Sequence, residues 1–432
     1  MTLYSALSKV ALEKEEPSLG LIDPVVAIIV SLSILVLLLY KRVNLGIVLN
    51  ATALLLALLT LEWTRIPTLI WETSANLLTI SVVSATFVIM LLSQLYKETG
   101  LINSLSESMG KLVKNPKIVM CVLPAIIGFL PVAGGALMSA PLVDSEAEKL
   151  KLKPEKKAYV NLWFRHTIFP VYPLSQVLIV AAALGGTTTA FMILRQIPVV
   201  AVMVIVGYVI GFWKVSYSRK ERISQEKSNA NSNFGSFFVS FSPILASIIV
   251  AISLSSVFVD LSKLGFDVLI ASLAGLAVLI IISKPRFQIF TKPFKSWGIY
   301  GITFAAYGAF LLGAVMRATG ISELLKTFAM NGNVDSTALL VIIPAVLGVL
   351  TASALGGVTI GFPILSSMFT LSPKMASLIY MSAYLGYVIS PTHLCFTFTA
   401  DYFKCHHGKL YKYVIPSFLI TFPMVLIVYF LF

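Results

Sequence analysis

The chain has 432 residues, of which 58% are hydrophobic and only 12% are charged. Soluble domains carry about a quarter charged residues, so this composition excludes an ordinary soluble protein and is typical of a polytopic membrane protein. The net charge of +13 could suit nucleic acid. However, the basic residues cluster in short loops between apolar runs, so no nucleic-acid partner is predicted.

Apolar runs predict an all-α protein that crosses the lipid bilayer many times. Residues 1–21 carry mixed charge and lack the pattern of a cleaved secretory signal, so they predict an N-terminal extension before a retained first helix. A bilayer core about 30 Å thick requires roughly 20 apolar residues per helix. Runs of about this length predict spans at 22–40, 44–61, 76–96, 158–183, 188–213, 236–258, 267–283, 297–316, 373–400 and 410–432.

The distribution of positive charge predicts the orientation in the membrane. Most of the 32 lysines and arginines fall in loops that share one side of the membrane if the N-terminus is outside. Since positive loops stay in the cytoplasm, both termini are predicted outside and the polar segment 214–235 is predicted to be a cytoplasmic linker. The predicted location is the cell (plasma) membrane.

Two similar phrases reveal an internal repeat. Residues 124–143 read PAIIGFLPVAGGALMSAPLV, and residues 344–365 read PAVLGVLTASALGGVTIGFPIL. At the same offset, LLSQLYKETGLINSL at 91–105 resembles LLGAVMRATGISELL at 311–325. A self-match of this extent predicts one duplicated unit, with the first transmembrane repeat at 22–213 and the second at 236–432.

The flanks of the first Gly-Gly phrase predict that the second repeat is inverted. Both flanks are strongly basic, which favours a re-entrant hairpin with both ends in the cytoplasm. The first unit then crosses the membrane five times, and an odd number of crossings inverts the second copy. Broken segments at matching places in inverted halves are typical of a transporter's substrate site. Close packing of small residues between helices is the alternative interpretation.

Backbone groups freed by a break in a membrane helix must be buried in protein or line a wet cavity. Pro131 is predicted to break the first hairpin. For the same reason, the tips and inner arms of both hairpins are predicted to bind substrate, through Gly134, Gly135, Ser139, Thr351, Ser353, Gly356, Gly357 and Thr359.

A second pair of interrupted spans follows the hairpins. NLWFRHTIFPVYPLSQ at 161–176 contains Pro170 and Pro173, and SAYLGYVISPTHLCFTFTADYF at 382–403 contains Pro391. A proline inside a helix removes one backbone hydrogen bond, so both spans are predicted to be Pro-broken helices. Helix N-termini at such breaks suit an anion, and exposed carbonyls suit Na⁺.

Arg165 is the first candidate for substrate contact, because a guanidinium pairs bidentately with a carboxylate or phosphate. It could instead extend to cytoplasmic water. His166, Thr392 and His393 are further candidates at the breaks, although a lone histidine can be a hydrogen-bonded structural residue. Arg195 is expected to pack against backbone carbonyls or lipid headgroups.

The acidic residues and cysteines give little indication of a cation-coupling site or a metal site. All 19 acids are expected outside the interiors of the spans, with Asp23 and Asp144 nearest. This disfavours a cation/proton antiporter, although Asp144 stays a candidate for cation coupling if it is not simply solvated. Cys121, Cys395 and Cys405 have no metal-site spacing, and no P-loop is visible. No metal or cofactor is therefore predicted beyond Na⁺ or H⁺ as the coupling ion.

The repeated phrases and the SPTHLC break resemble an uncharacterised prokaryotic integral-membrane family of the ion-transporter superfamily, across residues 22–432. Its relatives include citrate, gluconate, dicarboxylate and arsenite carriers and Na⁺/H⁺ antiporters. The resemblance implies inverted repeats, re-entrant hairpins, broken helices and a homodimer with an elevator-like motion. The Ser-Asn-Thr signature of the dicarboxylate carriers is not evident at the hairpin tips, so the resemblance implies no particular substrate.

These observations predict a secondary active transporter of a small anion, an organic carboxylate, coupled to Na⁺ or H⁺. The alternative in the same class is a Na⁺/H⁺ antiporter, and a gated channel also remains open. A membrane-embedded enzyme that acts on a lipid through His166 or His393 is a different class. The chain lacks the HExxH and GxSxG motifs that would favour an enzyme. A receptor or assembly scaffold would move no solute.

Overall fold

The computed structural model describes residues 23–41, 43–112, 115–129, 135–215, 234–319 and 335–432. The predicted N-terminal extension 1–21, most of the linker 214–235, Pro131 and Gly134 lie outside these residues. Every regular element in the described ranges is helical, which confirms the predicted all-α class.

The helices of the first half follow one another through short connections. They are α1 Pro24–Tyr40, α2 Leu45–Thr60, α3 Arg65–Ala75, α4 Leu77–Glu98, α5 Leu101–Leu112, α6 Pro116–Gly128, α7 Gly135–Lys149, α8 Pro154–Arg165, a 3-10 turn Phe169–Val171, α9 Gln176–Leu184 and α10 Thr189–Phe212. Helices α6 and α7 pack side by side as the arms of hairpin 1.

The second half has the same order of long helix, hairpin, broken helix and long helix. Its elements are α11 Phe234–Val257, α12 Val259–Lys263, α13 Phe266–Ser283, α14 Phe287–Thr291, a 3-10 turn Lys292–Lys295, α15 Trp297–Ala318, α16 Ser336–Thr351, α17 Ala354–Met368, α18 Pro373–Ile389, α19 Leu394–Tyr402 and α20 His407–Leu431. Helices α16 and α17 form hairpin 2.

Six of these helices, α4, α10, α11, α13, α15 and α20, are long and apolar enough to cross a membrane. The broken pair formed by Pro154–Val171 and Gln176–Leu184, which bends by 40°, is a seventh candidate. The protein is therefore a polytopic membrane protein, as predicted. Helices α1 and α2 have only 17 and 16 residues, shorter than the predicted spans 22–40 and 44–61. Helix α2 begins where the Asn44 side chain accepts a hydrogen bond from the N–H of Gly46.

The two halves exchange equivalent contacts. Helix α2 of the first half packs on α15 of the second, and α13 of the second half packs on α4 of the first. The broken helices are exchanged in the same way, because α9 packs on hairpin 2 through α17 and α19 packs on hairpin 1 through α7. The halves are therefore interleaved rather than set side by side, as a duplicated unit would allow. Their inverted relation stays a prediction.

One acidic residue departs from the expectation that no acid is enclosed by the spans. Asp267 lies in the first turn of α13 and is only 1% exposed. Its carboxylate accepts a hydrogen bond of 2.7 Å from the Ser262 hydroxyl. Since a carboxylate is stabilised by the positive end of a helix, Asp267 fits the start of α13. The sequence pattern did not reveal it because Asp267 opens the apolar run.

The crossing of α16 and α18 leads to a stability prediction. A Cβ atom at Gly386 would lie 2.9 Å from the Cα and the carbonyl carbon of Ala345. Gly386→Ala should therefore destabilise the protein by about 1–3 kcal/mol, because backbone atoms cannot move aside cheaply. Gly235→Ala is the control, since nothing lies within 4 Å of that position. Thermal unfolding in detergent should show a lower midpoint for Gly386→Ala alone. Equal midpoints would refute the close crossing.

Candidate functional site

The two broken spans meet in the interior of the protein. Helix α8 ends at Arg165, and the chain passes through the 3-10 turn that contains Pro170 before α9 begins. Helix α18 ends at Ile389, and α19 begins at Leu394 after Pro391. The breaks therefore occur beside the prolines, and Pro173 lies in the turn between Val171 and Gln176.

Side-chain hydroxyls satisfy backbone carbonyls around both breaks. The Tyr384 hydroxyl donates to the His166 carbonyl at 2.5 Å, and the Tyr411 hydroxyl donates to the Ile389 carbonyl at 2.9 Å. The Ser390 hydroxyl donates to the Val349 carbonyl of hairpin 2 at 2.7 Å. These bonds replace helical ones that the breaks remove, which a membrane interior requires. Sequence reasoning missed the tyrosines, because their partners lie elsewhere in the chain.

Arg165 is enclosed between the first break and hairpin 1, and only 2% of it is exposed. A Cβ atom at Gly135 would lie 2.6 Å from Cζ and 2.8 Å from Nη1 of the Arg165 guanidinium. A Cβ atom at Gly128 would lie 2.6 Å from the Arg165 carbonyl oxygen. Glycine in hairpin 1 therefore makes room for an arginine. This burial differs from the alternative in which Arg165 extends to cytoplasmic water.

The glycines of hairpin 2 have a different surrounding. A Cβ atom at Gly357 would lie 2.9 Å from the Cβ of Ala383, and one at Gly356 would lie 2.6 Å from the Thr351 hydroxyl. These glycines allow close packing inside the hairpin and against α18. The small-residue packing that was the alternative interpretation thus describes hairpin 2, whereas Gly135 contacts a candidate site residue.

A cavity of about 360 Å³ lies where the breaks meet hairpin 2. Arg165 lines it together with residues of the hairpin 2 tip and of both broken spans. The lining from these elements comprises Arg165, Phe169, Gln176, Val177, Ala352, Ser353, Ala354, Leu355, Tyr384, Tyr387, His393, Leu394 and Cys395, and Asn44, Leu45, Gly301, Ile302 and Ala305 close the cavity from α2 and α15. We call this space the central cavity.

Two histidines from opposite halves approach each other beside the central cavity. The ring centroids of His166 and His393 are 4.8 Å apart, and both side chains are buried. His166 Nδ1 lies 2.7 Å from the Leu162 carbonyl, and its Nε2 lies 3.3 Å from the Tyr387 hydroxyl. The ring of Tyr387 packs on His393 with centroids 4.0 Å apart. The sequence predicted each histidine separately.

A buried polar network links hairpin 1 to both broken spans. The Ser139 hydroxyl donates to Asn161 Oδ1 at 2.6 Å, and Asn161 Nδ2 donates to the Ala136 carbonyl at 2.9 Å. The same amide reaches the Thr399 hydroxyl at 3.3 Å. Ser139 was predicted to bind substrate, but its hydroxyl holds α7 against α8. Asn161 and Thr399 were missed, because neither residue stands out in an apolar sequence.

Several residues that were predicted to bind substrate lie at or near the hairpin 2 tip, and their hydroxyls form hydrogen bonds within the protein. Thr351 and Thr359 donate to carbonyls of their own helices. Thr392 is exposed, and its hydroxyl lies 3.3 Å from that of Ser390. Ser353 does line the central cavity, and it also accepts a hydrogen bond from the Gly356 N–H at 3.1 Å.

Asp144 and Arg195 take part in other contacts. Asp144 Oδ1 forms an ion pair of 2.6 Å with Lys157 Nζ, which joins hairpin 1 to the start of α8. Arg195 Nη2 donates to the Val428 carbonyl at 2.8 Å and so ties α10 to α20, as the sequence predicted. Neither side chain lines the central cavity.

A second cavity of about 510 Å³ lies between α3, α4, α15 and α17. Its lining includes Glu72, Asn76 and Arg317. The central cavity is lined by the N-terminal ends of α9 and α17. The second cavity is lined by residues nearer the C-terminal ends of the same two helices. The two cavities therefore reach the interface between α15 and hairpin 2 from different ends.

The fold is shared with two solved transporters. The Alcanivorax borkumensis YdaH transporter aligns with a TM-score of 0.62 and 13% identity, over 91% of this chain and 97% of that chain. MtrF of Neisseria gonorrhoeae, described with a class of antimetabolite efflux pumps, aligns with a TM-score of 0.53 and 11% identity, over 93% and 96%. No curated protein sequence matches the chain. The family model DUF401, protein of unknown function, matches residues 24–432, and the chain therefore belongs to the DUF401 family.

Proposed function

We propose that this protein is a secondary active transporter of a small anion, an organic carboxylate, coupled to Na⁺ or H⁺. The observation that carries the proposal is the enclosed Arg165 guanidinium on the wall of the central cavity. A charged side chain at the centre of a membrane helix costs about 2.5–3.5 kcal/mol or more, so such a residue is a functional candidate by default. A guanidinium selects a carboxylate or another oxyanion.

Helix termini add positive potential to the same cavity. Gln176 is the first residue of α9, Ala354 is the first of α17 and Leu394 is the first of α19, and all three line the central cavity. Each helix N-terminus carries a partial positive charge and N–H groups without helical partners. Three such termini beside Arg165 favour an anion over a cation.

Polar donors at the cavity wall supply further recognition. Gln176 Nε2 is buried and has no hydrogen-bond partner among the described residues, so it is available to an oxygen of the solute. The side chains of Tyr384 and Tyr387 also line the cavity, and their hydroxyls are hydrogen-bonded to His166. A volume of about 360 Å³ is in the range of small-molecule pockets.

The predicted topology suggests how the anion would reach each side of the membrane. The central cavity is bounded by the start of α2 and the first half of α15, and the positive-inside rule assigns the starts of both helices to the cytoplasmic side. The second cavity contains Arg317 from the last turn of α15 and Glu72 of α3, at the predicted outer end. Alternating access would move the hairpins and broken spans past α4 and α15 in an elevator-like manner.

The fold supports this class of function, because the YdaH protein and MtrF, which share it, are transporters. The plasma-membrane location, the external termini and the homodimer stay part of the proposal. Transient currents from proteoliposomes, measured on rapid exchange into pools of small carboxylates and oxyanions with and without Na⁺ at two pH values, test it. Currents from Na⁺ or pH steps alone would favour the antiporter. Lipid turnover in the vesicles without solute movement would favour the enzyme.

Arg165→Lys should raise the anion concentration for half-maximal current by roughly 10–150-fold. The lysine keeps the positive charge but loses the bidentate fork, which is worth about 1.5–3 kcal/mol for hydrogen bonds to charged groups. Arg195→Lys is the matched control, since Arg195 is also buried but contacts α20 outside the cavity. Equal anion dependence in both variants would remove Arg165 from the binding site.

Gly135→Ala should weaken anion binding roughly tenfold without lowering the midpoint of thermal unfolding. The added methyl group meets the flexible end of Arg165 rather than backbone, so the guanidinium moves while the hairpin keeps its place. A loss of about 1.4 kcal/mol in the anion contact corresponds to tenfold in affinity. Gly235→Ala should change neither property. Unchanged currents in Gly135→Ala would show that the position of the guanidinium is unimportant.

Asp144→Asn should leave Na⁺-dependent or pH-dependent anion currents within about twofold of the parent. The Asp144 carboxylate pairs with Lys157 and lies away from the central cavity, and partly exposed ion pairs contribute little to stability. The measurement is the cation dependence of the current at fixed anion concentration. A variant that responds to the anion but no longer to the cation gradient would make Asp144 the coupling residue.

A further inference from the structure

We propose that His166, His393 and Cys395 form a binding site for a borderline-soft divalent transition metal ion such as Zn²⁺, at the wall of the central cavity. The donor atoms of these three buried residues all lie within 4.8 Å of one another. Two imidazole nitrogens and a thiolate are donors that Zn²⁺ prefers. The sequence predicted no metal site, because Cys395 has no metal-site spacing and His166 lies in the other half of the chain.

The hydrogen bonds of His166 leave one ring nitrogen suited to a metal. A carbonyl only accepts hydrogen bonds, so the contact of 2.7 Å with Leu162 requires the proton on Nδ1. The neutral ring then has its lone pair on Nε2, which accepts a long hydrogen bond of 3.3 Å from the Tyr387 hydroxyl. A metal ion on Nε2 would replace that bond. A backbone carbonyl that orients a metal-binding histidine through its other nitrogen is a common arrangement in metal sites.

His393 supplies an independent indication of a ligand. It is 2% exposed, and neither ring nitrogen has a hydrogen-bond partner among the described residues. The Val388 carbonyl approaches the ring but does not meet hydrogen-bond geometry. Buried polar groups are nearly always satisfied, so an enclosed imidazole without partners requires an explanation. A metal ion between His393, His166 and Cys395 would satisfy it.

The separation of the donors allows an ion with small side-chain movements. Zn–N distances of about 2.0–2.1 Å and Zn–S distances of about 2.3 Å place donors roughly 3–4 Å apart around one tetrahedral ion. The largest present separation is 4.8 Å, so about 1 Å of closure is needed. Small rotations of His393 and Cys395 would have to supply it, and the His393 ring would move against the Tyr387 ring, whose centroid lies 4.0 Å away.

The positive charge around the central cavity opposes a metal cation, so an anion bound beside the metal would stabilise it. Arg165 and the helix N-termini oppose a cation in the same cavity. When the metal binds, Cys395 releases its thiol proton to solvent, and the thiolate offsets one positive charge. Three protein ligands leave the fourth tetrahedral position open, and an anion in the cavity can fill it. Only this role of the fourth position rests on the proposed function.

Cobalt is a spectroscopic probe for such a site, because thiolate-to-Co²⁺ charge transfer reports a Co–S bond. The full-length protein in detergent, freed of metal with chelator, is titrated with Co²⁺ in chloride buffer. We expect one Co²⁺ per chain with a near-ultraviolet charge-transfer band that Zn²⁺ abolishes by competition. Cys395→Ser should lose the band, and His393→Gln should bind Co²⁺ about 10–100-fold more weakly. Cys121→Ser and Cys405→Ser are matched controls that keep the band.

Protection from alkylation checks the same site in the unmutated protein. Zn²⁺ should slow the modification of Cys395 by a maleimide, followed by mass spectrometry, and should leave Cys405 unaffected. The absence of a charge-transfer band in the unmutated protein, or the same band in Cys395→Ser, would overturn the metal site. Arg165→Lys should keep Co²⁺ binding, because Arg165 is not a ligand. Metal binding without any anion current would instead overturn the proposed anion transport and leave the metal site standing.

Discussion

The structure depends on satisfying the backbone groups that two broken spans release inside an apolar interior. Each break removes helical hydrogen bonds where neither lipid nor bulk water can replace them. The hydroxyls of Tyr384 and Tyr411 each donate a hydrogen bond to one backbone carbonyl at a break. The Ser390 hydroxyl donates to a carbonyl of hairpin 2. Because these donors come from α18, α20 and the second break itself, the breaks persist only while the surrounding helices stay packed.

The enclosed arginine imposes a second constraint on the same region. The guanidinium can approach α7 this closely because Gly135 has no side chain. The Ser139, Asn161 and Thr399 network then holds hairpin 1 at the distance that the arginine needs. Polar groups buried in this way stabilise a unique arrangement when all of them are satisfied. Hairpin 1 therefore contacts Arg165 through Gly135, whereas hairpin 2 lines the cavity with the N-terminus of α17.

The sequence predicted the features that depend on local composition, and it missed those that depend on contacts between distant residues. Apolar runs, prolines and the repeated phrases predicted the helical class, both hairpins and both breaks, and Arg165 and Arg195 were recognised as charges inside spans. The pairing of His166 with His393 requires the two halves to interleave, which no local pattern specifies. Gln176 and Asn161 were missed because an amide in an apolar run indicates neither burial nor partners. Asp267 was not singled out because it opens an apolar run, and its burial and the hydrogen bond from Ser262 are visible only in the structure.

Interleaving of the halves limits which parts of the molecule can move together. Helix α2 packs on α15 and α13 packs on α4, so neither half can shift as a unit without breaking long helix contacts. By contrast, α9 with α17 and α19 with α7 join the broken spans to the hairpins across the halves. In the proposed elevator-like motion, the body that moves past α4 and α15 would therefore take its hairpins and breaks from both halves. Arg165, His393 and the hairpin 2 tip would then travel together, whereas the contacts of the ligand with α2 and α15 would change.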